Sequence, residues 1–157
     1  MTKKLYALGS VVAAGLLACA VEKKPPVPES GEAVVAAYFR AWNAHDSAAI
    51  DSLLAPDATL DDPAQNFRGQ GSAAVVKFMR DHAAAQPDFR WEITNSIEQG
   101  RYVGIEWTWT GTYTGPDPAG KQVTKRRLSG KGASFAEVEK GKIKRMTDYF
   151  DMASFFR

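Results

Sequence analysis

The chain has 157 residues with 20 Lys and Arg against 18 Asp and Glu, a formal net charge of +2, and a single cysteine. The only charged residues among the first 18 are Lys3 and Lys4, so the remainder is balanced at 18 acidic and 18 basic residues. That length fits one packed domain, the balance gives no general electrostatic reason to bind nucleic acid, and one cysteine excludes an internal disulfide.

Lys3 and Lys4 precede an apolar run from Leu5 to Ala18, which ends Leu16-Leu17-Ala18-Cys19. The run is shorter than the roughly 20 residues that span a bilayer and has the n-region and h-region of a cleaved signal. The string resembles a bacterial lipobox, in which cleavage falls just before a cysteine that carries lipid. Residues 1–18 are therefore expected to be a lipoprotein signal peptide and Cys19 the lipidation site, with an ordinary secretory signal as the alternative. Ala20 is not the aspartate that retains enteric-type lipoproteins in the inner membrane. The resemblance thus implies the cell envelope, with the outer membrane favoured where the host has one. Residues 20–30 carry three prolines and four charges, which suit a tether of roughly 30 Å rather than a helix.

The folded domain is expected over residues 31–157. Ser30 can cap a helix beginning at Gly31 or Glu32, on which Val34, Val35, Tyr38, Ala41, Trp42 and His45 form one stripe. Asp46 caps a short second helix with Ile50, Leu53 and Leu54, and Pro56-Asp57 ends it. A short strand is predicted over 58–62, a loop over 63–71, and a third helix from Ser72 with Val75, Val76, Phe78, Met79 and His82 on its buried face.

After Pro87 the period changes to two. Phe89, Trp91 and Ile93 alternate with Arg90, Glu92 and Thr94. Val103, Ile105, Trp107, Trp109 and Tyr113 share one face of the next strand. A turn at 115–120 leads to strands near 122–138 and 143–151, and Met152 to Arg157 form a short helical tail. Lys121, Lys125, Arg126, Arg127 and Lys131 read as a solvated strand and loop. Helices first and long strands afterwards define an α+β class, with a curved mixed or antiparallel sheet wrapped around three N-terminal helices.

These elements carry strings that together resemble a known family. They are Ala41-Trp42-Asn43-Ala44-His45-Asp46, Leu53-Leu54-Ala55-Pro56-Asp57-Ala58, Pro87-Asp88-Phe89-Arg90-Trp91-Glu92, the stretch from Trp107 to Gly115, Gly141-Lys142-Ile143 and Asp148-Tyr149-Phe150-Asp151. Their order is similar to the SnoaL-like polyketide cyclase branch of the nuclear-transport-factor-two-like cone fold. The resemblance implies a cone enclosing an apolar pocket and, as in many members, a homodimer through the outer sheet face. It also implies an acid/base residue on the final strand, which falls on Asp148. The histidine that commonly assists would stand near Ser134, and no histidine follows His82. Tyr113 replaces the histidine of the family's Gly-Thr-His-Thr-Gly.

A carboxylate in an apolar cone would hold its proton to higher pH and could transfer it near neutrality. Asp148 alternates in phase with Met146 and Phe150, against Arg145, Thr147, Tyr149 and Asp151, but period two does not say which face is inside. Asp61 stands near the expected pocket rim, though Asp61-Asp62-Pro63 reads equally as a capped turn. Trp42, Trp107 and Trp109 suit a ring-shaped ligand or a plain core. Tyr38 and Tyr113 can offer phenolic donors to a pocket or satisfy backbone groups. Two separated histidines fall short of a metal site. No glycine loop for phosphate is present, no serine has an evident base, and no cofactor is expected. Three functions remain open: a tethered module binding a small apolar or aromatic molecule, a cofactor-free isomerase or aldol-type cyclase, and an accessory lipoprotein binding another envelope protein.

Overall fold

The computed structural model describes residues 30–117 and 119–156; Cys19 and the tether before Ser30 lie outside them. Helix α1 spans Gly31–Asn43. Its first N–H groups are satisfied twice over, by the Ser30 hydroxyl accepting from Ala33 and by the Glu98 carboxylate accepting from Gly31 and Glu32. Both a capping oxygen and a negative charge suit a helix N-terminus. Helix α2, Ser47–Leu53, is capped by Asp46, which accepts from Ala48 and Ala49. His45 makes the bend between the two helices with φ of 54°.

Strand β1 runs Leu54–Asp62, longer than the five residues expected. The predicted loop after it is a correction. A 3-10 turn at Pro63–Gln65, capped by Asp62, and Asn66 in the left-handed region reverse the chain. Strand β2, Phe67–Gln70, then pairs antiparallel with β1. Helix α3 is Ser72–Ala85, with Val75 and Met79 buried. Strands β3 (Arg90–Gln99), β4 (Tyr102–Pro116), β5 (Gln122–Glu139) and β6 (Lys142–Phe150) follow, then a 3-10 turn at Met152–Phe156.

The six strands form one sheet in the order β2-β1-β6-β5-β4-β3. β1 and β6 are parallel and every other neighbouring pair is antiparallel. Four of the pairings carry register shifts, and such irregularities add bend and twist to a sheet. The α+β cone expected from the order of elements is the architecture observed.

The core fills the concave side. Val34, Val35, Tyr38 and Trp42 of α1 meet Val103, Ile105, Trp107 and Trp109 of β4, with Ile143 and Met146 of β6 beneath. Gly132 of β5 makes room for the largest of these. A Cβ there would stand 2.3 Å from the Trp107 ring, so the indole lies directly on backbone. The convex side differs, with Ile97, Tyr102, Phe135 and Tyr149 exposed there.

Candidate active site in the cone

β6 settles the question that alternation left open. Met146 is 2% exposed and faces the core, so its phase partners Asp148 and Phe150 face inward too. Arg145, Thr147 and Tyr149 face outward. Asp148 lines a narrow inner pocket with about 20 Å³ of free space, room for roughly one water-sized group. Tyr38 and Trp42 of α1, His82 of α3, Trp91 of β3 and Asp62 at the end of β1 form its other walls. Gln65, His82 and Trp91 also line a wider cleft of about 390 Å³ that runs to the far ends of β4 and β5. The two spaces therefore adjoin.

Asp148 is held by a short relay. Trp107 Nε1 donates to Ser134 Oγ at 2.9 Å, and Ser134 Oγ donates to Asp148 Oδ1 at 2.5 Å. Ser134 and Asp148 are direct partners across β5 and β6, so the strand register builds this bond. Ser134 is 1% exposed. Burial pushes the Asp148 carboxyl up to about 7, partly offset by the Ser134 hydrogen bond and reinforced by the charge of Asp62. The group thus changes protonation near neutrality while lining a cavity.

Asp61 and Asp62 show what one step along a strand does. Asp61 points to the outer face and pairs with Arg68 at 2.7 Å, which holds its carboxyl below the usual range. The expected pocket acid is therefore its neighbour. Asp62 is 2% exposed, and burial raises its carboxyl although Gln65 donates to both its oxygens. Leu60 is also 2% exposed, and the phase it shares with Asp62 was the signal in the sequence. Tyr38 loses its proton only at a much higher pH than a free phenol, because of burial first and the Asp148 charge second. It keeps its hydroxyl hydrogen at ordinary pH and lines the same pocket as Asp62 and Asp148.

Trp107 is 1% exposed and lies beneath the site, edge-on to Trp91 at 4.4 Å, rather than on the pocket wall. Trp109 and Tyr113 do line the cleft. The Tyr113 hydroxyl is spent on the carbonyl of Pro116 at 2.9 Å, so only its ring is offered. Burial, with His45 adding to it, brings His82 down to about 4, so its imidazole is neutral in ordinary buffers. Among the described residues, four that line the cleft carry buried polar atoms with no protein partner: His82 Nε2, Gln86 Oε1, Trp91 Nε1 and Trp109 Nε1. Such groups cost free energy when left unpaired, so water or the polar atoms of a ligand must meet them. Trp91, Phe150 and Phe155 were not foreseen as pocket residues. Trp91 and Phe150 fit the alternation, but Phe155 lies in a tail with no period to place it.

A mixed, curved sheet over three helices, with carboxylates inside and an aromatic cleft beside them, is the cone fold. The model of the SnoaL-like domain matches residues 35–146, and the chain belongs to that family. A comparison of the sequence with curated proteins finds no match. Among solved structures, IdmH from Streptomyces antibioticus, a candidate polyketide cyclase, superposes with a TM-score of 0.70 at 18% identity, over 81% of this chain and 96% of its own. A candidate polyketide cyclase from Xanthomonas campestris gives 0.64 at 26% identity, over 78% and 90%. TerC, crystallised with polyporic acid, gives 0.64 at 20% identity, over 80% and 95%.

Proposed function

We propose that the protein is a cofactor-free acid/base enzyme that moves a proton on a small, uncharged, ring-shaped carbonyl compound. The observation that carries this reading is Asp148. It is a carboxylate in the narrow inner pocket that adjoins the aromatic cleft, bonded through one oxygen to Ser134, and poised near neutrality. Ionised, it takes a proton from the carbon beside the substrate carbonyl. The C–H electron pair moves into a new carbon–carbon double bond, and the carbonyl oxygen becomes an enolate. Tyr38 donates a hydrogen bond to that oxygen without giving up its proton. Asp148 then returns the proton to another carbon, which completes an isomerisation, or the enolate carbon attacks a second carbonyl carbon, which closes a ring, and the alkoxide so formed takes the proton back from Asp148. General acid/base groups of this kind contribute about 10²–10⁴-fold.

Charge selects the substrate. The charged residues lining the two spaces are Asp62, Asp148 and Asp117, with no Lys or Arg among the described lining residues. Carboxylates and phosphates find no cation among these lining residues, and neutral oxygen-bearing rings suit the free indole donors. TerC, of the same fold, was crystallised with polyporic acid, which supports a small-molecule ligand.

Deuterium exchange at the acidic carbon of 2-tetralone in D2O, followed by NMR, tests the reading. The protein should accelerate exchange, with the rate rising through about pH 7 as Asp148 ionises. Asp148→Asn should lose about 10²-fold or more while still binding the ketone. Unchanged exchange in that variant would sink the proposal. The second reading, a binding module without turnover, draws on the unpaired polar atoms of the cleft, and it predicts binding without exchange.

We also propose that Cys19 carries lipid and holds the domain at the cell envelope. The basic start, the apolar run and the proline-rich tether support it, and among the described residues no helix is long and apolar enough to cross a membrane. Cys19→Ser should release the protein from membrane fractions; unchanged fractionation and mass would remove the claim. The exposed aromatics of the convex face, Phe135 (61%) and Tyr149 (53%), support pairing of two copies there. Light scattering of the wild type and Phe135→Glu tests this, with dimer becoming monomer as the expected result.

A further inference from the structure

One wall of the cleft is made by the 3-10 turn after β6. Phe155 is 8% exposed, and its ring lies between those of Trp109 and Phe150. The centroids stand 5.4 Å and 5.3 Å away, with interplanar angles of 16° and 24°. All three residues line the cleft. The ring therefore sits as a flat guest would sit, sandwiched between two aromatic faces.

Two further features hold it there. A Cβ at Gly130 would come within 1.7 Å of the Phe155 ring, so the bare backbone of β5 forms the floor of the slot, and any side chain at that position would displace the ring. The next residue is clamped. Arg126 donates to the Phe156 carbonyl at 2.5 Å and lies 5.8 Å over its ring, while the Tyr113 ring meets it edge-on at 5.4 Å. A segment fixed on three strands is a wall rather than a loose flap.

We propose that Phe155 is the size-limiting residue of the cleft. Its ring occupies the slot that a further fused ring of the ligand would otherwise fill. At about 390 Å³ the cleft is at the small end of ligand pockets, which run from roughly 300 to 1,000 Å³. With Phe155 in place it takes ligands of two or three flat rings and rejects longer ones. This rests on the reading of the cavity as a site for ring-shaped molecules.

Trp91 and Trp109 line the cleft, so quenching of tryptophan fluorescence reports occupancy. Three neutral ketones serve as probes: 2-tetralone with two rings, anthrone with three and tetracene-5,12-dione with four. The wild type should bind the four-ring probe at least about tenfold more weakly than anthrone. Phe155→Ala should gain about tenfold for that probe and change little for 2-tetralone. Gly130→Ala, which keeps every atom of Phe155 but moves the ring, should shift the ranking the same way. Phe155→Leu removes the ring and keeps most of the packing, so it carries the test if the alanine variant does not fold. Tight binding of the four-ring probe by the wild type overturns the proposal. An unchanged ranking in Phe155→Ala, or in Phe155→Leu where the alanine variant does not fold, also overturns it and leaves the cavity reading standing. Failure of the wild type and all variants to bind any of the three overturns the cavity reading, and this inference with it.

Discussion

The two faces of the sheet use the same residue types to opposite ends. On β1, Asp61 faces out, pairs with Arg68 and ionises easily, while Asp62 faces in and resists ionisation because it is buried. On β6, Arg145 of the outer face lies 3.8 Å from Glu137, while Asp148 of the inner face meets no cation among the described residues and bonds to a hydroxyl instead. Aromatics divide the same way. Phe135 and Tyr149 stand edge-on at 6.2 Å with most of their surface in water, while Trp42 is 6% exposed and touches five other rings. Chemistry in this fold is thus decided by a one-residue choice of phase. Charge is neutralised outside by partners, and inside it is left to shift its protonation.

The largest expected contrast is in stability. Trp42→Ala removes a buried indole and should cost about 3–5 kcal/mol, the range for deleting a core aromatic. Phe135→Ala on the convex face should change a monomer by less than about 0.5 kcal/mol. Urea unfolding at a concentration where the protein is monomeric measures both. Comparable losses at the two sites would mean that the concave face is no core.

How far the site could be read in advance follows from the same phase rule. Helix caps at Ser30 and Asp46 are local signals, and the structure uses both. Period two placed Asp148 with Met146 and Phe150, but a strand flanked by Arg145 and Tyr149 on the other phase gives no reason to choose a face. The choice comes from α1, which covers only one side. On β1, Ala58 and Leu60 mark the inward phase, which makes Asp62 rather than Asp61 the pocket acid. β2 was hidden because Pro63 and two glycines read as loop, and only pairing with β1 makes Phe67–Gln70 a strand. The Ser134–Asp148 bond depends on register between β5 and β6, which no single strand encodes.

A medium effect should appear in the pH dependence of stability. The fold raises Asp148 from 3.8 to about 7, so it favours the protonated acid, and this group's contribution is lost as pH rises across that range. The fold lowers His82 from 6.5 to about 4, so it favours the neutral imidazole, and that contribution is lost as pH falls across its range. Between about pH 4 and 6.5 the two slopes oppose each other, which flattens the wild-type profile. Asp148→Asn removes the falling Asp148 slope and leaves the rising histidine slope in that interval. Its stability should climb from pH 4.5 to 6.5 more steeply than that of the wild type, and exceed it at pH 8. Parallel profiles for the two proteins would show that Asp148 ionises freely and is open to water.

The smallest effect, and the sharpest test of the inner face, belongs to Ser134. It stands across the strand pair from Asp148, in the place where the family resemblance puts a histidine. A histidine there could exchange a proton with the acid. Serine cannot at ordinary pH, so its part is to steady the carboxylate, with its own hydrogen directed by the Trp107 indole that donates to it. Ser134→Ala deletes the one interaction that lowers the Asp148 carboxyl and leaves burial and the Asp62 charge, which both raise it. The acid limb of the exchange-rate profile should therefore move to higher pH, by about half to one pH unit for a hydrogen bond of ordinary net strength. The rate well above pH 8 should stay close to that of the wild type, because the ionised base is still present. A variant with an unmoved limb but a lower plateau would mean that Ser134 orients the substrate rather than the base. A limb moved to lower pH would mean that the Asp148 carboxyl is raised by something other than its dry surroundings.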